Sequence, residues 1–223
     1  MSLFQKIKRG LDEALEFESG EEEVAVRMKS KAMKIVSAPF IETTRLILEP
    51  VRSEHAAEMV SVLADHELYT YLPHEPPTQT YLEDLYERWS HGLSRDGTEF
   101  ILNWMARLRS TGALVGHFQS SIPPSGIAPL GYTVGLKFQR QGFALEALQA
   151  VIAFLGSSQR VSVVKAWIDT RNDASFKLVE KLGMTLESRL EAADEFKGSK
   201  SDEFVYALAL QGGASGDKNA NAG

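Results

Sequence analysis

Between Val134 and Leu145 the chain reads V-G-L-K-F-Q-R-Q-G-F-A-L. A strand enters from Val134, Gly135 to Phe138 form a short link, and an apolar-periodic helix begins near Gly142. A helix start collects backbone N–H groups with no acceptor inside the helix. The helix dipole adds about half a positive charge there. The residues that usually cap such a start, Ser, Thr, Asp or Asn, are missing. The chemistry left to it is anion binding, most naturally of a phosphate or pyrophosphate. Gly142 has no side chain to hold a phosphate off the backbone, and Ala144 is nearly as small. Gln139, Arg140 and Gln141 add donors, and no carboxylate intrudes before Glu146. The same glycine would also serve a tight strand-to-helix turn, so this segment alone leaves both readings open.

Other reactive constellations are thin. The chain has no cysteine, which excludes a disulfide framework, thiolate metal sites and a cysteine nucleophile. It also favours a reducing, cytoplasmic setting. The five histidines, His55, His66, His74, His91 and His117, form no pair at metal-ligand spacing, so no metal is expected. Net charge is −6 and the isoelectric point lies near 5.5, which argues against a nucleic-acid partner. No apolar run approaches a membrane span, and the opening M-S-L-F-Q-K-I-K-R-G lacks the apolar core of a secretory signal.

The elements that must position the helix start are legible in outline. Residues 1–38 look separate: a short amphipathic helix, an acidic break and a weakly specified basic arm, read as an appendage or oligomer contact. T-R-L-I-L-E-P-V reads as a strand stopped by Pro50, followed by a helix with Ser53 as its cap. A loop holding three prolines between Pro73 and Pro77 precedes a second helix from about Thr80. Two strands joined through S-T-G suggest a hairpin. A further strand, P-L-G-Y-T-V-G-L-K-F, has internal glycines that suggest a bulge or close backbone approach. After the helix at Gly142 come a strand at V-S-V-V-K-A-W-I-D, a helix capped by Asn172 and ended by Gly183, and two last strands around A-A-D-E-F-K-G-S-K-S. The tail, 211–223, has no apolar residue able to pack and reads as disordered. The expected architecture is α/β in the α+β sense: one domain over 39–210, with a mixed sheet and helices on both faces.

The spacing V-x4-Q-x2-G-x-A resembles the acyl-CoA-binding motif of the GNAT superfamily of N-acyltransferases. T-R-L-I-L-E-P-V and L-G-Y-T-V-G resemble that superfamily's first and fourth strands. N-D-A-S-F-K-L-V-E-K-L-G-M is similar to the N-x2-S helix of its RimJ/RimL-like, ribosomal-protein N-terminal acetyltransferase branch, with Met184 where phenylalanine is usual. Thr133 stands where that branch often has tryptophan, and Arg140-Gln141 precede the motif glycine in place of Gly-Lys or Gly-Arg. The ordered resemblance spans roughly 41–210.

The resemblance implies a GNAT fold: a mixed, mostly antiparallel sheet with a splayed central strand pair. It implies transfer of acetyl from acetyl-CoA, a co-substrate, to a primary amine, either a small molecule or a protein N-terminus. Thr133 and Val134 would then offer backbone contacts to the pantetheine arm. Gln139, Arg140, Gln141, Gly142, Phe143, Ala144 and Leu145 would hold the pyrophosphate. Asn172, also a natural helix cap, would contact the pantetheine side. Ser175, otherwise an ordinary early-helix polar residue, would protonate the departing sulfur. Glu99 and His117 are the candidates for general base, with a solvated strand end and a half-buried strand residue as their plainer readings; a water chain would also serve. The acceptor pocket is expected between loops 66–77 and 191–202, where His74, Glu75, Asp194 and Glu195 lie. A homodimer is the candidate assembly. The rival function is an inactive acyl-CoA-binding or regulatory module on the same fold.

Overall fold

Leu46 and Leu48 alternate with Arg45, Ile47 and Glu49, and in strand β2 (Leu46–Pro50) both leucine side chains are wholly buried. The computed structural model that contains this strand describes residues 38–94, 97–158 and 160–210. The expectations for the N-terminal helix and arm and for the tail therefore lie outside the described residues. A two-residue strand, β1 (Ile41–Glu42), pairs with β2 and was too short to show in the sequence pattern.

Ser53 does not cap the first helix. The chain makes a 3-10 turn at Ser53–His55 before α1 (Ala56–Val62). Arg52 takes the cap position, and its backbone N–H donates to Nδ1 of buried His55 at 3.0 Å. Helix α2 (Gln79–Ser90) starts at Thr78, whose hydroxyl accepts from the N–H of Tyr81. Strands β3 (Phe100–Leu108) and β4 (Leu114–Ile122) form the expected hairpin. Strand β5 (Ile127–Val134) then leads through a 3-10 turn at Leu136–Phe138 into α3 (Phe143–Ser157). Strand β6 (Val163–Asp169), helix α4 (Asp173–Lys181) and strands β7 (Thr185–Phe196) and β8 (Ser199–Ala209) complete the domain. The last hairpin is longer than expected. Residues 192–201 extend both strands to a two-residue turn at Lys197–Gly198, where both φ angles are positive, as such tight turns require.

The sheet order is β1-β2-β3-β4-β5-β6-β8-β7. Every neighbouring pair is antiparallel except β5 and β6, which run parallel because α3 carries the chain across one face between them. Helices α3 and α4 lie on that face. Phe143, Ala147, Leu148, Val151 and Leu155 of α3 bury against Leu46, Trp104, Phe118, Leu130 and Val164. On the opposite face α1 and α2 cover Met105 and Leu114 with Met59, Leu82, Leu85 and Tyr86. Each such aliphatic or aromatic side chain, fully buried, contributes roughly 1.5–3 kcal/mol. Gly135 realises the expected close approach: a Cβ there would lie 2.7 Å from Val62 Cγ1 and 2.9 Å from its carbonyl oxygen.

Leu148 lies at the centre of the α3 interface with no exposed surface. Leu148→Ala should lower unfolding stability by about 2–5 kcal/mol, read from the urea midpoint at constant m-value. A smaller loss would mean that α3 is not anchored through this face.

Candidate active site

Strands β5 and β6 pair only through Ile127–Val163, Ala128–Val164 and Pro129–Lys165. Beyond those residues they diverge and open a groove of about 1570 Å³. Its walls are the ends of β5 and β6, the starts of α3 and α4, the 63–78 loop and the β7–β8 turn region. Residues on an antiparallel strand alternately turn their backbone groups toward and away from one neighbour. Gly135 N–H donates to Val115 O at 3.0 Å, which sets the odd-numbered residues of β5 toward β4. Gly126 O accepts from Ser162 and Val163 N–H, on the β6 side. The backbone groups of Tyr132 and Val134 therefore face the gap. Those of Thr133 face β4, so Thr133 reaches the groove through its side chain and not, as expected, through its backbone.

Gly142 begins α3 in the left-handed region, φ 81°, and no side chain caps the helix. The first intrahelical bond runs from Glu146 N–H to Gly142 O. Among the described residues, none accepts a hydrogen bond from the backbone N–H groups of Arg140, Gln141, Gly142, Phe143, Ala144 or Leu145. All of these except Gln141 line the groove. Two glutamine side chains are already engaged. Gln139 Nε2 donates to the gap-facing Val134 O at 2.9 Å, and Gln141 Nε2 donates to Lys137 O at 2.8 Å. They shape the turn instead of extending donors into the groove.

A contact 101 residues apart in sequence holds this turn, and the sequence pattern did not reveal it. Glu146 accepts from Thr43 Oγ1 at 2.6 Å, Arg45 N–H at 2.7 Å and Arg45 Nε at 2.6 Å. Arg45 Nη1 also donates to Gln141 O at 2.9 Å, and its guanidinium stacks over Phe143, 4.6 Å from the ring centre. Burial acts to raise the Glu146 carboxyl, but the bonds from Thr43 and Arg45 outweigh it and hold the group below its ordinary range. Glu146 is thus ionised, and Arg45 offsets the one carboxylate near the free N–H row.

Asn172 caps α4, accepting from Ser175 N–H at 3.1 Å, and both residues line the groove. Tyr132 OH donates across the groove to Ser175 O at 3.4 Å. Burial pushes the Tyr132 phenol up to about 12, so it remains protonated. The first turns of α3 and α4 therefore stand on one face of the sheet, on either side of the diverging strands.

The two candidate bases are not brought together. Glu99 lies outside the groove: its carboxylate accepts from Ser121 Oγ at 3.2 Å, and its N–H donates to Ser94 Oγ, closing the loop before β3. His117 lines the groove on the α1/α2 face, beside its register partners Met105 and Thr133. Its ring stacks on Trp89 at 4.8 Å, and Nε2 lies 3.2 Å from Asn103 Oδ1. Burial pushes its imidazole down to about 4, leaving it neutral and a weak base. Trp89 and Trp167 are groove walls, whereas Trp104 is core.

The 66–77 loop and the β7–β8 hairpin tip, residues 191–202, meet at this end. Lys197 Nζ donates to Tyr69 O at 2.8 Å and lies 3.6 Å from Glu75. His74, Glu75, Asp194 and Glu195 line the wall there. So does Glu203 of β8, which is not among the residues the sequence singles out. The available signal was its register: Ser201, Glu203 and Val205 share one inward face, and all three are buried. Burial, with Asp194 and Asp169 adding like charge, raises the Glu203 carboxyl to about 7. The groove thus has an N–H-rich end with Arg140, Lys181 and a Lys177–Asp173 pair, and an acidic end with Asp169, Asp194, Glu195 and Glu203. It can hold a polyanion at one end and a cation at the other.

The chain resembles known proteins in sequence and in fold. The model of a family described as an acetyltransferase (GNAT) domain matches residues 45–185. The uncharacterized N-acetyltransferase YoaA of Bacillus subtilis is 25% identical over 172 residues, covering 76% of this chain and 96% of its own. A GNAT-family acetyltransferase structure from Bacillus anthracis superposes with TM-score 0.67 at 20% identity, over 77% of this chain and 99% of its own. The RimL ribosomal L7/L12 alpha-N-protein acetyltransferase, in complex with coenzyme A, superposes with TM-score 0.67 at 18% identity, over 77% and 98%. The structural likenesses establish the fold.

Because the folded-state value of Glu203 lies above its ordinary 4.5, the folded protein holds a proton that the unfolded chain releases between those values. That contribution is complete below about pH 4.5 and is lost as pH rises through about 7. Glu203→Gln should therefore raise Tm by several °C at pH 8 and by little at pH 4.5. A Tm difference that does not change with pH would show that Glu203 is not held protonated by its surroundings.

Proposed function

The chain belongs to the acetyltransferase (GNAT) domain family, and from that membership we propose that its groove binds acetyl-CoA and passes the acetyl group directly to a primary amine. It is an N-acetyltransferase of that family. The acceptor is a protein N-terminus or a small-molecule amine, and the N-D-A-S helix supports the RimJ/RimL-like branch. Acetyl-CoA supplies the activated acyl group and a thiolate leaving group; the residues of the chain bind, orient and move protons.

The residues present fit such a guest. The N–H groups at Gln141 to Leu145, with the helix dipole behind them, suit a diphosphate. Gly142 keeps that surface open, since a Cβ there would meet only Arg45 Nη2, at 3.3 Å. The gap-facing backbone of Tyr132 and Val134 can receive an extended amide-bearing arm as an added strand. Asn172 contributes its amide from the other wall, and Ser175 Oγ is the proposed proton donor to sulfur. Binding along the length of the groove fixes the thioester between the splayed strands. The observation that carries the reading is the charge division of one groove, with free N–H groups at one end and carboxylates at the other. A polyanionic donor and a cationic acceptor then meet where the strands part.

Thiol release from acetyl-CoA with a panel of primary amines tests the reaction, and the absence of cysteine means that a thiol reagent reports coenzyme A alone. Turnover is expected on at least one amine; coenzyme A binding without turnover on any would defeat the proposal. Gly142→Glu places bulk and negative charge at a left-handed residue and should weaken coenzyme A binding about 100-fold, or about 2.7 kcal/mol. Unchanged affinity by calorimetry would displace the diphosphate from this turn. Ser175→Ala should lower kcat by about 10²-fold and leave coenzyme A affinity intact; an unaltered kcat would remove Ser175 from the proton path.

A further inference from the structure

We propose that Glu203 is the general base of this enzyme, taking the proton from the ammonium form of the acceptor amine. This rests on the acetyl-transfer reading, because that reaction needs a neutral amine from a group that is cationic near neutral pH. Glu203 lines the acidic end of the groove and is only 7% exposed. Its Oε2 is fully enclosed and has no hydrogen-bond partner among the described residues. A buried carboxylate oxygen without a donor is costly and is uncommon in folded proteins. With no donor inside the protein for that oxygen, the carboxyl favours a proton, and an ammonium entering the groove beside it supplies one.

The neighbours favour this role over the alternatives. On β6, Asp169 sits directly opposite Glu203, but Arg171 holds it with a two-pronged pair at 2.8 and 2.6 Å. On β7, Leu190 faces Glu203, and a bulge between Leu190 and Asp194 includes Ala192 at φ 46°. Bulges of this kind re-aim side chains beside working sites. Here the bulge leads into Asp194, which adds negative potential at Glu203. Arg189 is paired with Asp202. From the 63–78 loop, Glu75 is met by Lys197 and His66. His117 is a weak base enclosed by Trp89, and Glu99 is outside the groove. Among the described residues, only Glu203 combines groove placement, an unengaged oxygen and an affinity for a proton matched to neutral pH.

The protons balance. One leaves R-NH3+ for the Glu203 carboxylate and passes on to solvent. The nitrogen lone pair then forms the C–N bond. The C–S bond breaks with its electron pair on sulfur, and the second nitrogen proton ends on that sulfur. Asp194 adds attraction for the cation, while Asp169 is engaged by Arg171.

The test is the pH dependence of kcat/KM for wild type, Glu203→Gln and Glu203→Asp, with acetyl-CoA and a panel holding a diamine, an amino acid and a short peptide with a free N-terminus. Wild-type kcat/KM should rise through about pH 7. Glu203→Gln should lose about 10²-fold at pH 7 and lack that limb. It should recover as pH nears the amine's own ionisation, where neutral amine is already abundant, and should keep its coenzyme A affinity. Glu203→Asp should retain the limb at reduced rate. A Glu203→Gln profile parallel to wild type, or a loss without high-pH recovery, would overturn the assignment while leaving acetyl transfer standing. A wild-type enzyme silent on every amine would overturn both.

Discussion

The architecture depends on two parallel strands that start paired and then part. Strands β5 and β6 share three residue pairs and then diverge. An exposed strand edge inside a domain leaves backbone donors and acceptors without partners, which is costly unless something satisfies them. The cost is bearable here because each strand has a second neighbour: β5 is zipped to β4, and β6 to β8. The open edge at Tyr132 and Val134 is partly satisfied by Gln139, and the remainder is available to a guest. A continuous sheet would have been more stable and would have had no place for a substrate.

From that divergence the other features follow. The crossover helix α3 must begin beside the gap, so its free N–H groups point at whatever enters. Helix α4 begins on the other side for the same topological reason. The two faces of the sheet then acquire opposite electrostatic character. On the α3/α4 face are helix starts with Arg140, Lys181 and the Lys177–Asp173 pair. On the other are the buried carboxyls of β6 and β8, with the β7 bulge beside them. The Arg45–Glu146–Thr43 cluster connects this arrangement to the far side of the sheet. It fixes the α3 turn from the β1–β2 turn and neutralises a carboxylate that would otherwise repel an anion.

Element types and order were legible because they rest on local rules. Period-two and period-3.6 patterns, Asn172 as a cap, Gly183 beyond a helix and Gly135 at a close approach are each decided by a few neighbouring residues. The misreadings share a cause. Ser53 was read as a cap by type, while the backbone geometry gave that position to Arg52 and buried His55. The final hairpin was cut short because polar residues 192–201 pair as strand along an exposed edge, where composition gives no burial signal. Glu99 is legible as a candidate base by residue type alone, and its carboxylate instead accepts from Ser121 outside the groove.

By itself the sequence determined the run of strands and helices, the uncapped glycine start of α3 and the N-x2-S start of α4. These are properties of short segments and survive translation into any tertiary context. Only the tertiary structure decided which backbone groups face the gap, which glutamines are already engaged, and which carboxyls share one wall. Asp169, Asp194 and Glu203 come from β6, β7 and β8, and Arg45 meets Glu146 across 101 residues. Electrostatic environment depends on distance and burial in space, and no spacing along the chain encodes either.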